Sequence, residues 1–448
     1  MKSILFCSVF LFAVISTAAY SQDINELITG EVESSLVAAG EMYRDLHQNP
    51  ELSLMEFKTA AKMAEALGKL GFEVTTGVGG NGVVGVLRNG KGPVIMLRTD
   101  MDALPVRETT GLPFANTVTV ATPQGPETPV MHACGHDLHM TVWHGTLKTM
   151  AALKSRWKGT LVAVAQPAEE VSGGSEQMIA DGLYSRFPKP DYALCYHVSP
   201  DLPTGTIGYF PGAIFAGVNS ADIKVSGVGG HGAMPHKTID PVVLSAKIIL
   251  DFQTIVSREI NPVYPAVVTV GSIHGGTKHN IIPGEVEMKL TLRFFSDDVY
   301  RQIREALVRI ANGNALAAGL PQEMMPVVTF ADEFTPPVEN DPELVALASS
   351  SMETVLGKEN VFRVDPSTVA EDFGKYGRTE EKVKIALFWL GGANREKYEE
   401  SISRGTDLPA LHSSNFAPDV TPAYSAGVSA MSRTLIDLFR YPADPSAR

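Results

Sequence analysis

Between residues 24 and 47, apolar side chains recur at Ile28, Val32, Leu36, Ala39, Met42 and Leu46, a spacing that predicts a helix. A second helical pattern runs from Phe57 to Leu70 and stops at Gly71. Strand-like runs follow at Gly82 to Leu87, Val94 to Arg98, Thr160 to Ala165 and Tyr192 to His197, and helix-length segments such as Leu138 to Leu153 separate several of them. The strands are apolar almost without interruption, as expected where both faces of a sheet are covered. This alternation predicts an α/β domain with a mostly parallel mixed sheet. Ligands of such sheets collect at the carboxyl ends of the strands. Asp100, Asp102, Glu169, Glu170 and His197 all follow or end a predicted strand.

The middle of the chain has a different rhythm. Ser220 to Ser226 reads as a strand, Pro241 to Arg258 as a helix and Ala266 to Ile273 as a strand. Glu285 to Phe295 alternates cleanly, with Val286, Met288, Leu290, Leu292 and Phe294 on one face and Glu287, Lys289, Thr291 and Arg293 on the other. A helix over Val299 to Ala318 and a strand at Val327 to Phe330 complete a βαββαβ order, the ferredoxin-like unit. It is expected as an insertion over 217–333, between two parts of one α/β domain at 22–216 and 334–448. The α/β pattern resumes with Leu344 to Val355 and Ile385 to Leu390, and a last helix reaches Phe439.

At 448 residues the chain exceeds one ordinary core, which agrees with two domains. The formal net charge of -13 speaks against non-specific nucleic-acid binding, since no basic stripe is present to meet phosphates. Residues 1–21 have the form of a signal peptide: Lys2, an apolar run from Ile4 to Ile15, then small residues at Ser16 to Ala19. Export to the periplasm or outside follows as an expectation, with a retained anchor helix as the alternative; the run is short for a bilayer span. No later stretch is apolar enough for a stable membrane anchor. Beyond the leader only Cys134 and Cys195 remain. A disulfide would consume the best motif of the chain, whereas Cys195 lies in an apolar strand where a free thiol is common.

That motif is Met131-His132-Ala133-Cys134-Gly135-His136-Asp137. It sets a thiol and an imidazole two residues apart at a glycine kink. The adjacent carboxylates Glu169 and Glu170 follow one strand and His197 ends another. Thiolate, imidazole and carboxylate are the side chains that hold zinc and its neighbours. Two adjacent carboxylates suit two duties, one on the metal and one as a base toward bound water. His412 taken alone reads as a surface histidine, and His132, His139, His144, His236, His274 and His279 as surface or supporting ones.

Further segments extend the pattern: Leu97 to Pro105, Gln166-Pro167-Ala168-Glu169-Glu170, Gly229 to His236, and Asn280-Ile281-Ile282-Pro283-Gly284. With the Cys-Gly-His-Asp motif they make residues 24–440 resemble the dinuclear-metal amidohydrolases that include aminoacylase, hippurate hydrolase and auxin-conjugate hydrolases, relatives of bacterial glutamate carboxypeptidase. The resemblance implies a metallopeptidase fold with a lid and dimerisation insertion. It also implies two divalent ions per subunit, zinc first, with manganese, cobalt or nickel as alternatives. Cys134, His136, Glu170, His197 and His412 become the metal ligands, Glu169 the general base and Asp102 a residue that orients a ligand. His231 becomes an oxyanion donor reaching a neighbouring subunit, which implies a homodimer or higher oligomer. Asn280 and Arg293 become the pair that holds a substrate carboxylate, although Arg293 has an ion pair with Glu287 as an alternative.

The reaction so implied is metal-dependent hydrolysis of N-acyl amino acids, with a dipeptidase or carboxypeptidase of the same fold as the nearest rival. A metal-free thiol nucleophile at Cys134 and a non-catalytic binding protein are the more distant ones. Acyl-group and amino-acid preference depend on pocket shape and stay open.

Overall fold

The computed structural model describes the backbone of residues 3–121 and 127–441, with side chains toward the N-terminus from Asp23 onward. The side chains of the expected leader therefore lie outside the described residues. Its backbone from Ser3 continues into the helix Ser3–Gln48. Among the described residues no helix is long and apolar enough to cross a membrane.

The chain forms two compact units: residues 1–212 with 339–365 and 375–448, and residues 213–338 with 366–374. The first is built on an eight-stranded mixed sheet. Its order is Glu73–Val78, Gly82–Asn89, Gly159–Gln166, Val94–Asp100, Tyr192–Pro203, Lys384–Ala393, Ile207–Tyr209 and Val361–Arg363. The four central strands are parallel. Antiparallel pairing appears only toward the two margins. The margins are where the apolar runs give way: Glu73–Val78, which the periodicity passes over, is mostly exposed, while Val94–Asp100 is buried almost throughout.

After Val94–Asp100 the chain first lays down Gly159–Gln166 on one side, then Tyr192–Pro203 on the other. This reversal opens a crevice at the carboxyl ends of the three strands, the position where α/β sheets bind ligands. Tyr192–Pro203 is longer than its apolar run suggests. Register with Lys384–Ala393 carries it past His197, which pairs opposite Trp389 inside the strand rather than at its end.

Helices Ser3–Gln48, His136–Ala152, Pro342–Leu356 and Val420–Leu438 pack on one another and carry the core. Trp157 stacks on Phe439 with ring centroids 4.5 Å apart. Burial of each large apolar side chain contributes about 1.5–3 kcal/mol.

The second unit has four strands in the order Ala266–His274, Glu285–Phe294, Gly217–Ser226 and Val327–Phe330, all antiparallel. With helices Pro241–Thr254 and Asp297–Ala317 this is the ferredoxin-like topology. Val286, Met288, Leu290, Leu292 and Phe294 are buried on one face of their strand, as the alternation requires. Asp240 and Ser296 cap the two helices, accepting from Val242 N and Val299 N.

A close approach fixes the helix packing of the first unit. Gly145 lies inside His136–Ala152, where a Cβ would meet the Tyr424 ring and hydroxyl at 2.4–2.7 Å. Tyr424 is buried and its hydroxyl is held 2.8 Å from Ser35 Oγ on a third helix. Gly145→Ala should therefore destabilise the protein by about 1–3 kcal/mol, against the roughly 1 kcal/mol that alanine ordinarily gains over glycine in a helix. A fall in the thermal midpoint is expected; an unchanged or raised midpoint would show that Tyr424 can yield.

Candidate metal centre

The Cys-Gly-His turn depends on its glycine. Gly135 has φ 78°, and a Cβ there would lie 2.6 Å from Val198 Cγ1. The turn ends as His136 opens the helix His136–Ala152, so Cys134 and His136 face the crevice from either side of one kink. His136 Nδ1 lies 2.8 Å from the Asp102 carbonyl oxygen, which can only accept. One proton is thereby fixed on Nδ1; burial opposes a second, but Asp100 and Asp102 raise His136 to about 10, so an ion would take Nε2 in exchange for a proton. His197 repeats the arrangement, with Nδ1 2.9 Å from the Val198 carbonyl oxygen and Nε2 3.4 Å from Cys134 Sγ.

His412 arrives from a loop and has φ 65°, a conformation that costs a non-glycine residue about 1–2 kcal/mol. Its N–H donates to the Ala133 carbonyl at 2.8 Å, tying it to the Cys-Gly-His turn. Its Nε2 lies 3.3 Å from Cys134 Sγ and 3.5 Å from Glu170 Oε2. His136 Nε2 lies 3.8 Å from Glu170 Oε1 and 4.0 Å from Glu169 Oε2.

Two overlapping triads thus share the thiol, Cys134/His136/His197 and Cys134/Glu170/His412, each with donor atoms within 4.8 Å of one another. A third group joins His136 to both glutamates. The residues fit divalent ions on independent grounds: His136 Nε2 and Glu170 Oε1 are buried without a hydrogen-bond partner. Burial, with neighbouring carboxylates, pushes the Cys134 thiol well up and Glu170 up to about 7. Burial holds His197 well below its ordinary value, in the neutral form that a ligand needs. A bound cation reverses the unfavourable shifts of the acids.

Around these donors lies a second ring of contacts. Asp102 acts on both sides of the site: its carbonyl fixes His136, and its Oδ2 accepts from Glu170 N at 3.0 Å and Ser53 Oγ at 2.6 Å. His139 is spent on structure, since Nε2 accepts from Val198 N and Nδ1 lies 2.8 Å from Asp100 Oδ1. Asp100 is in turn paired with the buried Arg98 at 2.7 Å. Neither Cys134 nor Cys195 is in a disulfide, which removes that alternative.

Periodicity passes over three supporting residues, His47, Ser53 and Glu56. His47, on the first helix, bridges Asp137 at 2.7 Å and Glu108 at 3.0 Å. Glu108 also accepts from Asn116, and the next residue, Thr109, donates its N–H to the Ser414 carbonyl. One buried imidazole therefore ties the Cys-Gly-His-Asp helix start to the loop that meets the His412 segment. The only sequence signal was a polar residue on an otherwise buried helical stripe.

The second unit carries the remaining candidates. His231 and Asn280 are exposed, on adjacent segments: His231 pairs with Ile281, and Gly232 N donates to the Asn280 carbonyl at 2.8 Å. Arg293 is half-buried on Glu285–Phe294, and burial lowers its pKa. Glu287 lies six residues along the same strand, roughly 20 Å away at strand rise, so the ion-pair alternative is excluded. Among the described residues Arg293 has no carboxylate partner.

A dinuclear-type donor set at the switch point of a mixed sheet defines a metallohydrolase, and the comparisons agree. The model of peptidase family M20/M25/M40 matches residues 96–411, and the chain belongs to that family. It is a metal-dependent hydrolase. Thermostable carboxypeptidase 2 of Saccharolobus solfataricus is 35% identical over 87% of this chain and 92% of its own length. N-acetyldiaminopimelate deacetylase of Limosilactobacillus reuteri is 36% identical over 81% of this chain and 94% of its own. A dinuclear metal binding peptidase of the M20 family from Bacillus subtilis superposes with TM-score 0.74 at 27% identity, covering 91% of this chain and 99% of that one.

The His47 bridge generates a pH dependence. Burial opposes its charge, but the hydrogen bonds and charges of Asp137 and then Glu108 raise it to about 9. A histidine raised above its unfolded value of about 6.5 stabilises the fold fully below that pH and loses its contribution as pH rises through the folded value. Asp137 and Glu108 are lowered, by His47 among other partners, and titrate at acid pH, outside this window. Unfolding free energy should fall by on the order of 2–3 kcal/mol between about pH 6.5 and pH 9.5. In His47→Gln this slope should flatten; an equal slope in both proteins would assign it to other groups.

Proposed function

We propose that the chain hydrolyses the amide bond of N-acyl amino acids, or of similar small amides with a free carboxylate, releasing an acid and an amino acid. One observation carries the reading: four metal-capable donors, His136, His197, Glu170 and His412, converge on the Cys134 thiol, and the neighbouring carboxylate Glu169 stands outside the two thiol-sharing triads. Cys134, His136, Glu170, His197 and His412 hold two divalent ions, zinc in the first instance. Such ions supply Lewis acidity to the scissile carbonyl and acidify water.

Glu169 takes the proton of the attacking water as the C–O bond forms, and returns it to the nitrogen as the C–N bond breaks. Arg293 and Asn280 bind the substrate carboxylate; a half-buried guanidinium without a carboxylate partner among the described residues favours that role. His231 donates to the developing oxyanion of a neighbouring subunit's site, in a homo-oligomer formed through the 213–338 unit. The leader-like N-terminus supports export. Deacetylase names among the relatives favour the acyl-amino-acid reading, and carboxypeptidase names keep a peptidase as the alternative.

Amine release from N-acetyl and N-benzoyl amino acids should exceed release from dipeptides, vanish with chelator and return with added zinc, manganese or cobalt. Glu169→Gln should lose about 10²–10⁴-fold in kcat while keeping its metal. Chelator-resistant turnover, or a fully active Glu169→Gln, would falsify the scheme.

The shared site has its own test. Co-expressed Glu169→Ala and His231→Ala chains, each inert alone, should regain about a quarter of wild-type activity by random pairing in a twofold dimer. No regained activity, or a monomer in sedimentation, would place the oxyanion donor within one subunit.

A further inference from the structure

Glu56 is fully buried, and no cationic side chain is paired with it among the described residues. It stands at the N-cap of the helix Phe57–Lys69, where a carboxylate normally turns back onto its own helix. Here it makes no such cap. Its Oε1 instead accepts from Ala168 N at 2.8 Å and Leu54 N at 2.9 Å, and its Oε2 accepts from Asn81 Nδ2 at 3.0 Å.

Both backbone donors belong to residues in the left-handed region, Ala168 at φ 54° and Leu54 at φ 67°. Ala168 immediately precedes the Glu169–Glu170 pair. Its carbonyl accepts from Gly173 and Gly174, and the turn contains a further left-handed residue, Ser172 at φ 55°. A tight turn of ordinary residues with positive φ persists only where its surroundings hold it.

The other end of the pair is pinned from the same segment. Glu170 N donates to Asp102 Oδ2, and that oxygen also accepts from Ser53, three residues before Glu56. The stretch Ser53–Glu56 therefore grips the Glu169–Glu170 dipeptide at both ends, directly through Glu56 and through Asp102 on the far side.

We infer that Glu56 is a positioning residue: its buried carboxylate holds Ala168 in the left-handed conformation that aims Glu169 and Glu170. This rests on the roles proposed above for those two glutamates. A purely structural carboxylate would be replaceable by any side chain of equal volume, because removing a buried charge in favour of a packed apolar group is often neutral for stability. A positioning carboxylate is replaceable only by another acceptor.

The test compares Glu56→Met, which keeps volume without an acceptor, with Glu56→Gln, which keeps both. Metal-loaded Glu56→Met should lose about 10–100-fold in kcat, the range seen when an outer-shell partner is removed. KM should move by less than about threefold, since the substrate's own contacts are untouched. Glu56→Gln should stay within about fivefold of wild type, retaining the Ala168 acceptor. Glycine adopts positive φ freely, so Glu56→Met/Ala168→Gly should regain about fivefold or more over Glu56→Met.

Visible absorption of the cobalt-substituted proteins gives a readout independent of turnover. The Glu56→Met band should differ from wild type, and the Glu56→Gln band should match it. If Glu56→Met retains wild-type kcat and cobalt spectrum, or if Glu56→Gln falls as far as Glu56→Met, Glu56 does not position the pair. Wild-type protein inert on every amide would count against the function above, and the cobalt spectra would still decide the role of Glu56.

Discussion

Buried negative charge is the constraint around which the first unit is organised. Asp100, Asp102, Asp137, Glu56, Glu108, Glu169, Glu170 and the Cys134 thiol are drawn toward the carboxyl ends of three adjacent strands, most of them buried. Two like charges 4 Å apart repel by about 4 kcal/mol at the effective dielectric of a protein. The protein answers some of this with its own cations. Arg98 neutralises Asp100, and His47 lies between Asp137 and Glu108. Among the described residues, Glu170 and the Cys134 thiol have histidines beside them. Asp100, Asp137 and Glu108 thus have cationic partners within the scaffold, whereas the Cys134 cluster gathers donors that would suit divalent cations.

Geometry enforces the division. The switch in strand order leaves the ends of Val94–Asp100, Gly159–Gln166 and Tyr192–Pro203 side by side, so the segments that follow them converge. Unusual backbone conformations gather there as well. Among the described non-glycine residues with positive φ, Leu54, Ala168, Ser172 and His412 belong to the centre or its immediate support, and Lys382 lies apart. Strain concentrated at one place, and held there by hydrogen bonds to Glu56, to Ala133 and within the turn, marks a site whose geometry is kept against local preference.

Apolar periodicity made the architecture legible because burial on both faces of the central strands leaves long hydrophobic runs, and burial on one face of Glu285–Phe294 leaves a strict alternation. The motif residues were legible because thiolate, imidazole and paired carboxylates seldom follow strands together without a reason. Two kinds of information were hidden. Glu73–Val78, being marginal and exposed, has no apolar signature. His47, Ser53 and Glu56 read as polar positions of helix ends and loops, because what distinguishes them is contact with residues 49–112 positions away. The extension of Tyr192–Pro203 beyond His197 is also a pairing effect, invisible until Lys384–Ala393 is placed beside it.

The outer contacts also determine what metal binding has left to do. Carbonyl oxygens of Asp102 and Val198 already set the tautomers of His136 and His197, so no proton must move between ring nitrogens when an ion arrives. Backbone pins on Ala168, Glu170 and His412 already hold the carboxylates and the last imidazole near the thiol. An ion bound there would still have to displace the Cys134 proton and the second proton of His136, and offset the burial that, with neighbouring carboxylates, raises Glu170. Binding at this cluster would thus be coupled to proton release more than to folding of the loops, in contrast to small metal domains that are unfolded without their ion. The fold contributes preorganisation and the ion contributes charge, and the residues that matter most to the first are the ones furthest from the second.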